Sequence, residues 1–277
     1  MEPNDAFFKA FKDACYFNDL PKAQEAIATG RLTDEDLGEG LNLATLMAHP
    51  DIVTALFDAG ARVTERATGA LSGRNHHQDP CIVRQFLERG LDPNVMLSSG
   101  EPLCSMIQNA ACAAVLLSAG ADPNALGRKG IPPLARMIVS ARSDSPDTSL
   151  LELYVAHGAK LEPDLLFFAV APRVQQSEVS TRFLLDKGAV ALNYWGTPLH
   201  CAVWRGRVHL VRMLLEAGAN PDVVAGRREF GRKAPVEVTE RVEPRERREE
   251  IRGLLWSYSG RDSVEPGNCG VDGGGDA

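Results

Sequence analysis

The chain has 277 residues, 44% hydrophobic and 24% charged, enough apolar material for a real core. A net charge of -7 and a pI near 5.5 argue against a nucleic-acid binder, which needs a basic footprint to displace phosphate counterions, and against attachment to an anionic membrane. Met1-Glu2-Pro3-Asn4-Asp5 lacks the basic start and apolar run of a secretion signal, and no stretch approaches the roughly 20 apolar residues of a membrane span, so the expectation is an intracellular protein, cytoplasmic or nuclear.

The first predicted element is an amphipathic helix around Phe7, Phe8, Phe11, Ala14 and Cys15, followed by a segment over Pro21–Thr29. A repeat then declares itself through glycines that follow short apolar runs, at Gly30, Gly60, Gly90, Gly120, Gly158, Gly188 and Gly218. Their escorts recur: Ala-Leu-Phe-Asp-Ala-Gly at 55–60, Val-Leu-Leu-Ser-Ala-Gly at 115–120, Arg-Met-Leu-Leu-Glu-Ala-Gly at 212–218. Val211, Leu214 and Leu215 stand at i, i+3 and i+4 and make one apolar stripe. The glycine just beyond predicts a helix stop with a left-handed backbone. Asp92-Pro93-Asn94, Asp122-Pro123-Asn124 and Asn220-Pro221-Asp222 are turn chemistry, since Pro presets φ and the short polar side chain bonds nearby backbone.

A second helix start lies upstream of each such helix. Thr197-Pro198-Leu199-His200-Cys201-Ala202 shows it best, with Thr197 as cap and Pro198 in the first turn. Weaker versions are Glu101-Pro102-Leu103-Cys104, Pro132-Pro133-Leu134-Ala135 and Ala234-Pro235-Val236-Glu237. Each unit is a turn, a short helix, a loop, a second helix and a glycine stop. One pair cannot cover its own apolar face, so the pairs must stack.

A Gly-Thr-Pro-Leu-His start, a Leu-Leu helix and a Gly-Ala-Asn/Asp close resemble the ankyrin repeat. The resemblance implies an all-α repeat solenoid of helix–turn–helix units with short turn fingers. Most copies here run 30 residues, against about 33 in the family, and the shortening is expected in the inter-helix loop or the turn. The division is an N-terminal capping repeat at 1–30, an array of about six repeats at 31–223, a charged C-terminal capping repeat at 224–260 and a disordered tail at 261–277. A polar insertion at 140–149 lengthens the gap from Gly120 to Gly158.

The resemblance further implies a non-enzymatic adaptor or scaffold that binds an unidentified protein through its concave face, as a monomer. The alternative is a targeting subunit that recruits an enzyme such as a ubiquitin ligase to a substrate. Carried over onto this chain, the contact positions are Tyr194 and Trp195 in a turn tip, and Trp204 and Arg205 at the end of a first helix. Gln108, Asn109 and Arg128 occupy comparable places in neighbouring repeats. Trp, Tyr and Arg are the residue types enriched at binding hot spots.

The search for chemistry yields no catalytic residue, cofactor or metal. His200 and Cys201 are adjacent, so on a helix they point about 100° apart, and the resemblance gives that His a structural role. His76, His77, Asp79 and Cys81 are metal-ligand types without a second cluster at zinc spacing, and read as a polar loop. Gly127-Arg128-Lys129-Gly130 reads as a solvated turn, and the mixed charges at 241–252 as a solvated helix face with i,i+4 pairs. The six cysteines lack paired spacing and read as free thiols, most of them small core residues.

Overall fold

A computed structural model describes residues 3–73, 77–140, 147–162, 164–171, 174–189, 197–226 and 230–260. The chain divides into two compact units, Met1–Leu161 and Glu162–Ala277. Among the described residues the first holds five helix pairs: α1 (Pro3–Phe17) with α2 (Leu20–Ala28), α3 (Asp34–Leu46) with α4 (Pro50–Asp58), α5 (Glu65–Ala70) with α6 (Pro80–Glu88), α7 (Leu103–Met106) with α8 (Ala110–Ser118), and α9 (Pro133–Ser140) with α10 (Ser149–Ala156). The second holds three: α11 (Leu165–Ala169) with α12 (Ser177–Asp186), α13 (Pro198–Trp204) with α14 (Val208–Glu216), and α15 (Pro235–Val238), extended by a 3-10 turn at Thr239–Arg241, with α16 (Arg245–Tyr258). Among the described residues the β-structure is an isolated bridge between Met96 and Pro102.

Within each unit like helices lie side by side. The second helices run α2, α4, α6, α8, α10 in one unit and α12, α14, α16 in the other. Their inward stripes form the core: Ile52 and Leu56, then Ile82 and Phe86, then Cys112 and Leu116, then Leu151 and Tyr154 are buried. Phe57 and Phe86 meet edge to face at 5.2 Å, a favoured aromatic geometry.

The seven stop glycines all have positive φ, from 65° to 97°. At Gly60 the reason is plain: its N–H donates to the carbonyl of Phe57 and the next N–H, of Ala61, to that of Leu56. This pair of bonds is the Schellman closure, which only works with a left-handed residue at that place. The bond from the residue after the glycine recurs after Gly90, Gly120, Gly158, Gly188 and Gly218. Starts are equally specified. Thr33 and Asp36 form a reciprocal capping box on α3. The second helices α2, α4 and α6 open on Pro in their first turn, two of them after a capping Asp, Asp19 and Asp79.

The shortened period is partitioned in more than one way. Between Gly30 and α3, and between Gly60 and α5, the link is too short for a finger, and Thr33 or Thr64 caps the next helix directly. Between Gly90 and α7 a full finger exists, closed by Leu97 N–H to Glu101 and Leu103 N–H to Val95, and the loss falls instead on α7, which has four residues. Sequence reading placed the loss in the loop or turn; here the first helix itself is cut short.

Fingers are laced by the Asp-Pro-Asn turns. Asp92 accepts from the Asn94 N–H at 2.8 Å. Asn94 then reaches the next repeat, donating to Gly120 at 3.0 Å and accepting from Asp122 N–H at 2.7 Å. Asn124 repeats the rung onto Gly158 and Lys160. A further link is ionic. Glu101, where the best-matched copy has Thr197, is buried and pairs with Arg136 at 2.7 Å. Its other oxygen crowds Gly127, where a Cβ would collide with it.

In α16 two arginines reach back to the preceding turn, and Arg252 also pairs along the helix with Glu249 at 3.5 Å. Arg248 donates to the Val242 carbonyl at 3.0 Å and pairs with Glu243 at 2.6 Å, and Arg252 donates to the Thr239 hydroxyl at 2.9 Å. The run at 241–252 therefore clasps the 3-10 turn as well as carrying a pair along the helix, at i,i+3 where the sequence suggested i,i+4.

Cys15, Cys104 and Cys112 are buried free thiols, Cys201 is buried, and Cys81, in the first turn of α6, is exposed. Burial pushes Cys15 and Cys112 up to about 12 and Cys104 to about 11. Since the thiolate is the reactive species, iodoacetamide on the native chain should alkylate Cys81 while Cys15, Cys104 and Cys112 label only after denaturation. Peptide mapping by mass spectrometry checks this; native labelling of the three at the Cys81 rate would contradict the packing.

Candidate functional site

The best-defined surface feature lies at the end of α13. Thr197 caps that helix, its hydroxyl oxygen accepting the His200 N–H at 3.4 Å. The His200 ring is fully buried. Its Nε2 lies 3.0 Å from the Lys233 carbonyl, which only accepts, so Nε2 carries the hydrogen. Nδ1 then accepts from the Thr197 hydroxyl at 2.6 Å. Both nitrogens are used by a neutral ring, and burial holds the His200 pKa below its ordinary value. This is a structural histidine.

Every residue of α13 from Pro198 to Val203 is buried, yet Trp204 is 36% exposed. Its ring meets Phe230 edge-on at 5.9 Å, and the Arg205 guanidinium lies over it, 4.8 Å from the ring centre, a cation–π distance. Trp204 and Arg205 are thus brought together as a pair, at the exposed end of the first helix as expected. Tyr194 and Trp195, the other two aromatics assigned to this repeat, lie outside the described residues, as do His76, residues 141–146 of the insertion and the tail at 261–277.

In the first unit Gln108 and Asn109 come together on Gln78, whose side-chain oxygen accepts both their N–H groups at 2.9 Å. Gln78 also donates to Ser72 at 3.1 Å, so it joins α5, α6 and the α7–α8 junction. The Asn109 side chain caps α8, accepting from Ala111 and Cys112. The Gln108 side chain is exposed. Arg128 is exposed on the finger before α9, and its N–H donates to the Gly100 carbonyl at 2.8 Å, tying adjacent fingers. Gln78 has no counterpart motif and was not legible in the sequence.

Where the finger is missing at 61–64, the flank of the next finger is uncovered. A groove of about 630 Å³ runs there, lined among others by Val63, Glu65, Leu91 and Met96, with Met96 48% exposed. His77 is exposed and Asp79 caps α6 through the Cys81 N–H at 2.7 Å, so these residues serve a loop and a helix start. Among the described residues no group of three or more His, Cys, Asp or Glu is placed to hold a metal ion, and no helix is long and apolar enough to cross a membrane.

The ankyrin repeat family model matches residues 196–225, the stretch that carries α13 and α14. No curated protein matches the sequence. Among solved structures the chain is similar to the human ASB11 ankyrin repeat domain, at 18% identity and a TM-score of 0.53, covering 90% of this chain and 97% of that one. It is also similar to an ankyrin repeat domain from Acinetobacter baumannii AYE, at 21% identity and a TM-score of 0.55, covering 70% of this chain and 98% of that one. At these identities the likeness is one of fold. Ankyrin repeat domains generally mediate protein–protein interaction, and the fold is typically a non-enzymatic module. Residues 196–225 thus carry the ankyrin repeat motif, and the helix pairs of the chain have the fold of ankyrin repeat solenoids.

Proposed function

We propose that this chain is a non-enzymatic adaptor or scaffold which, as a monomer, holds a protein partner on the side made by its fingers and first helices. The observation that carries the reading is Trp204. It is a large aromatic left more than a third exposed at the end of an otherwise buried helix, with an arginine stacked on it. Such pairs concentrate binding energy, because the aromatic loses little conformational freedom and the guanidinium is weakly hydrated. Gln108 and Arg128, exposed on the first unit, are assigned to the same function. Asn109 instead holds the fold.

The test is affinity purification of the full chain with partners quantified by mass spectrometry, for the parent, Arg205→Ala and Trp204→Ala. Partner recovery should fall by about tenfold or more in both variants, the cost of losing a hot-spot residue. Arg205→Ala should leave the melting temperature unchanged, since the residue is exposed. Undiminished recovery with Arg205→Ala, together with a large loss of stability in Trp204→Ala, would reassign the pair to packing.

A further inference from the structure

We infer that the partner segment held at Trp204 is acidic: an extended run of Asp and Glu around one apolar residue. The inference rests on Trp204 being a contact residue and adds what it contacts. Beside the Trp204–Phe230 pair is a dent of about 110 Å³ whose wall includes Lys233, Glu237, Val238 and Arg241. Its floor is apolar, with Phe230 and Val238 both buried, and its size suits one aliphatic side chain.

Cations outnumber carboxylates around the dent, with Arg205, Lys233 and Arg241 against Glu237 and Glu240. Arg241 is exposed and makes no ion pair among the described residues. The Lys233 ammonium has Glu240 as its acid, at 3.9 Å and with both side chains well exposed, a contact of little strength in water. The carboxylate in the wall, Glu237, keeps its charge but is tethered to the start of α15, where it accepts the Ala234 N–H at 2.7 Å. Arg205 adds a third cation over the indole.

The sequence around the site points the same way. Residues 201–252 hold twelve Lys and Arg against nine Asp and Glu, in a chain whose net charge is -7. A local surplus of cations on an otherwise acidic protein attracts acidic segments to that place and repels them elsewhere. Guanidinium and ammonium groups beside an aromatic wall fit carboxylates flanking an apolar anchor, since each carboxylate meets a cation and the anchor leaves water.

The experiment is fluorescence anisotropy of the full chain with labelled peptides. One has Asp and Glu on both sides of a Leu; a second has Asn and Gln in their place; a third has Lys. The acidic peptide should bind and the others should not. Raising salt from about 0.1 M to about 1 M, which shortens the screening length from about 10 Å to about 3 Å, should weaken binding. Lys233→Glu combined with Arg241→Glu should weaken it by about tenfold or more at unchanged melting temperature, because both side chains face water. Arg84→Glu, on α6 of the first unit, should not change it.

No binding of the acidic peptide, or equal binding by the charge-reversed variant, would overturn the inference. Capture of the neutral or Lys peptide, lost in Trp204→Ala, would overturn the acidic assignment while keeping Trp204 as a contact residue. Acidic-peptide binding indifferent to Trp204→Ala would place it elsewhere on the chain and overturn the site. A labelled single-stranded oligonucleotide binding more tightly than the peptide would replace carboxylates with phosphates and overturn it too.

Discussion

Leu214→Ala is expected to destabilise the protein by about 2–5 kcal/mol, the cost of a buried leucine plus the cavity it leaves. Leu214 has no exposed surface. It sits on α14, which packs against its pair-mate α13 and between the second helices α12 and α16, so the void is walled on several sides and cannot collapse by moving one element. The residue does double duty, because its carbonyl also accepts the Ala219 N–H that closes the helix beyond Gly218; that bond survives the substitution, so the loss measures packing alone. Urea unfolding followed by circular dichroism reads the change. A cost under about 0.5 kcal/mol, typical of surface substitutions, would mean that α14 is not wedged between neighbours. A large drop in the urea dependence itself would instead report that the pairs no longer unfold together.

Arg136→Met is expected to cost about 3 kcal/mol, the lower end for breaking a buried ion pair. The lower end applies because the Arg136 side chain keeps 28% of its surface in water, against 11% for Glu101. Removing the guanidinium leaves the Glu101 carboxylate buried without its counter-charge, and the second carboxylate oxygen already accepts no hydrogen bond among the described residues. The informative control is the double variant Glu101→Thr with Arg136→Met. Thr is the residue that stands at this place in the best-matched copy, where Thr197 caps α13. The neutral Thr should recover most of the stability, since replacing both members of a buried pair is often close to neutral. Equal losses in the single and double variants, measured by the same urea titration, would show that the ion pair is not what the single variant broke.

Legibility in the sequence followed the range of the interaction. The glycine stops were readable because a left-handed residue and the carbonyls it satisfies lie within six positions of each other, and all seven stand at positive φ. The Asp-Pro-Asn turns were readable as turns for the same reason. Their second task, in which Asn94 and Asn124 hydrogen-bond the following repeat, depends on a neighbour about 30 residues on and left no local mark. Gln78 is the stronger case: an ordinary polar loop residue that organises three backbone segments. The four-residue α7 escaped notice because Glu101-Pro102-Leu103-Cys104 opens like its longer counterpart, and length is decided by where α8 must start. At the candidate site, Trp204 and Arg205 were found from their alignment with the best copy. Phe230, Lys233 and Arg241 were not, because they arrive from a segment without the motif.

The uneven fingers show that spacing along the stack and display on its surface are set by separate parts of the chain. The glycine closures and second helices keep the 30-residue stride, whereas the stretch between a glycine and the next helix is a projection at 91–102 and a bare link at 61–64. In-place exchange of projection for helix can therefore rewrite what one rung offers to the outside while leaving every other rung in step. Recognition can diversify by small edits inside a repeat, with no need to add or delete whole ones.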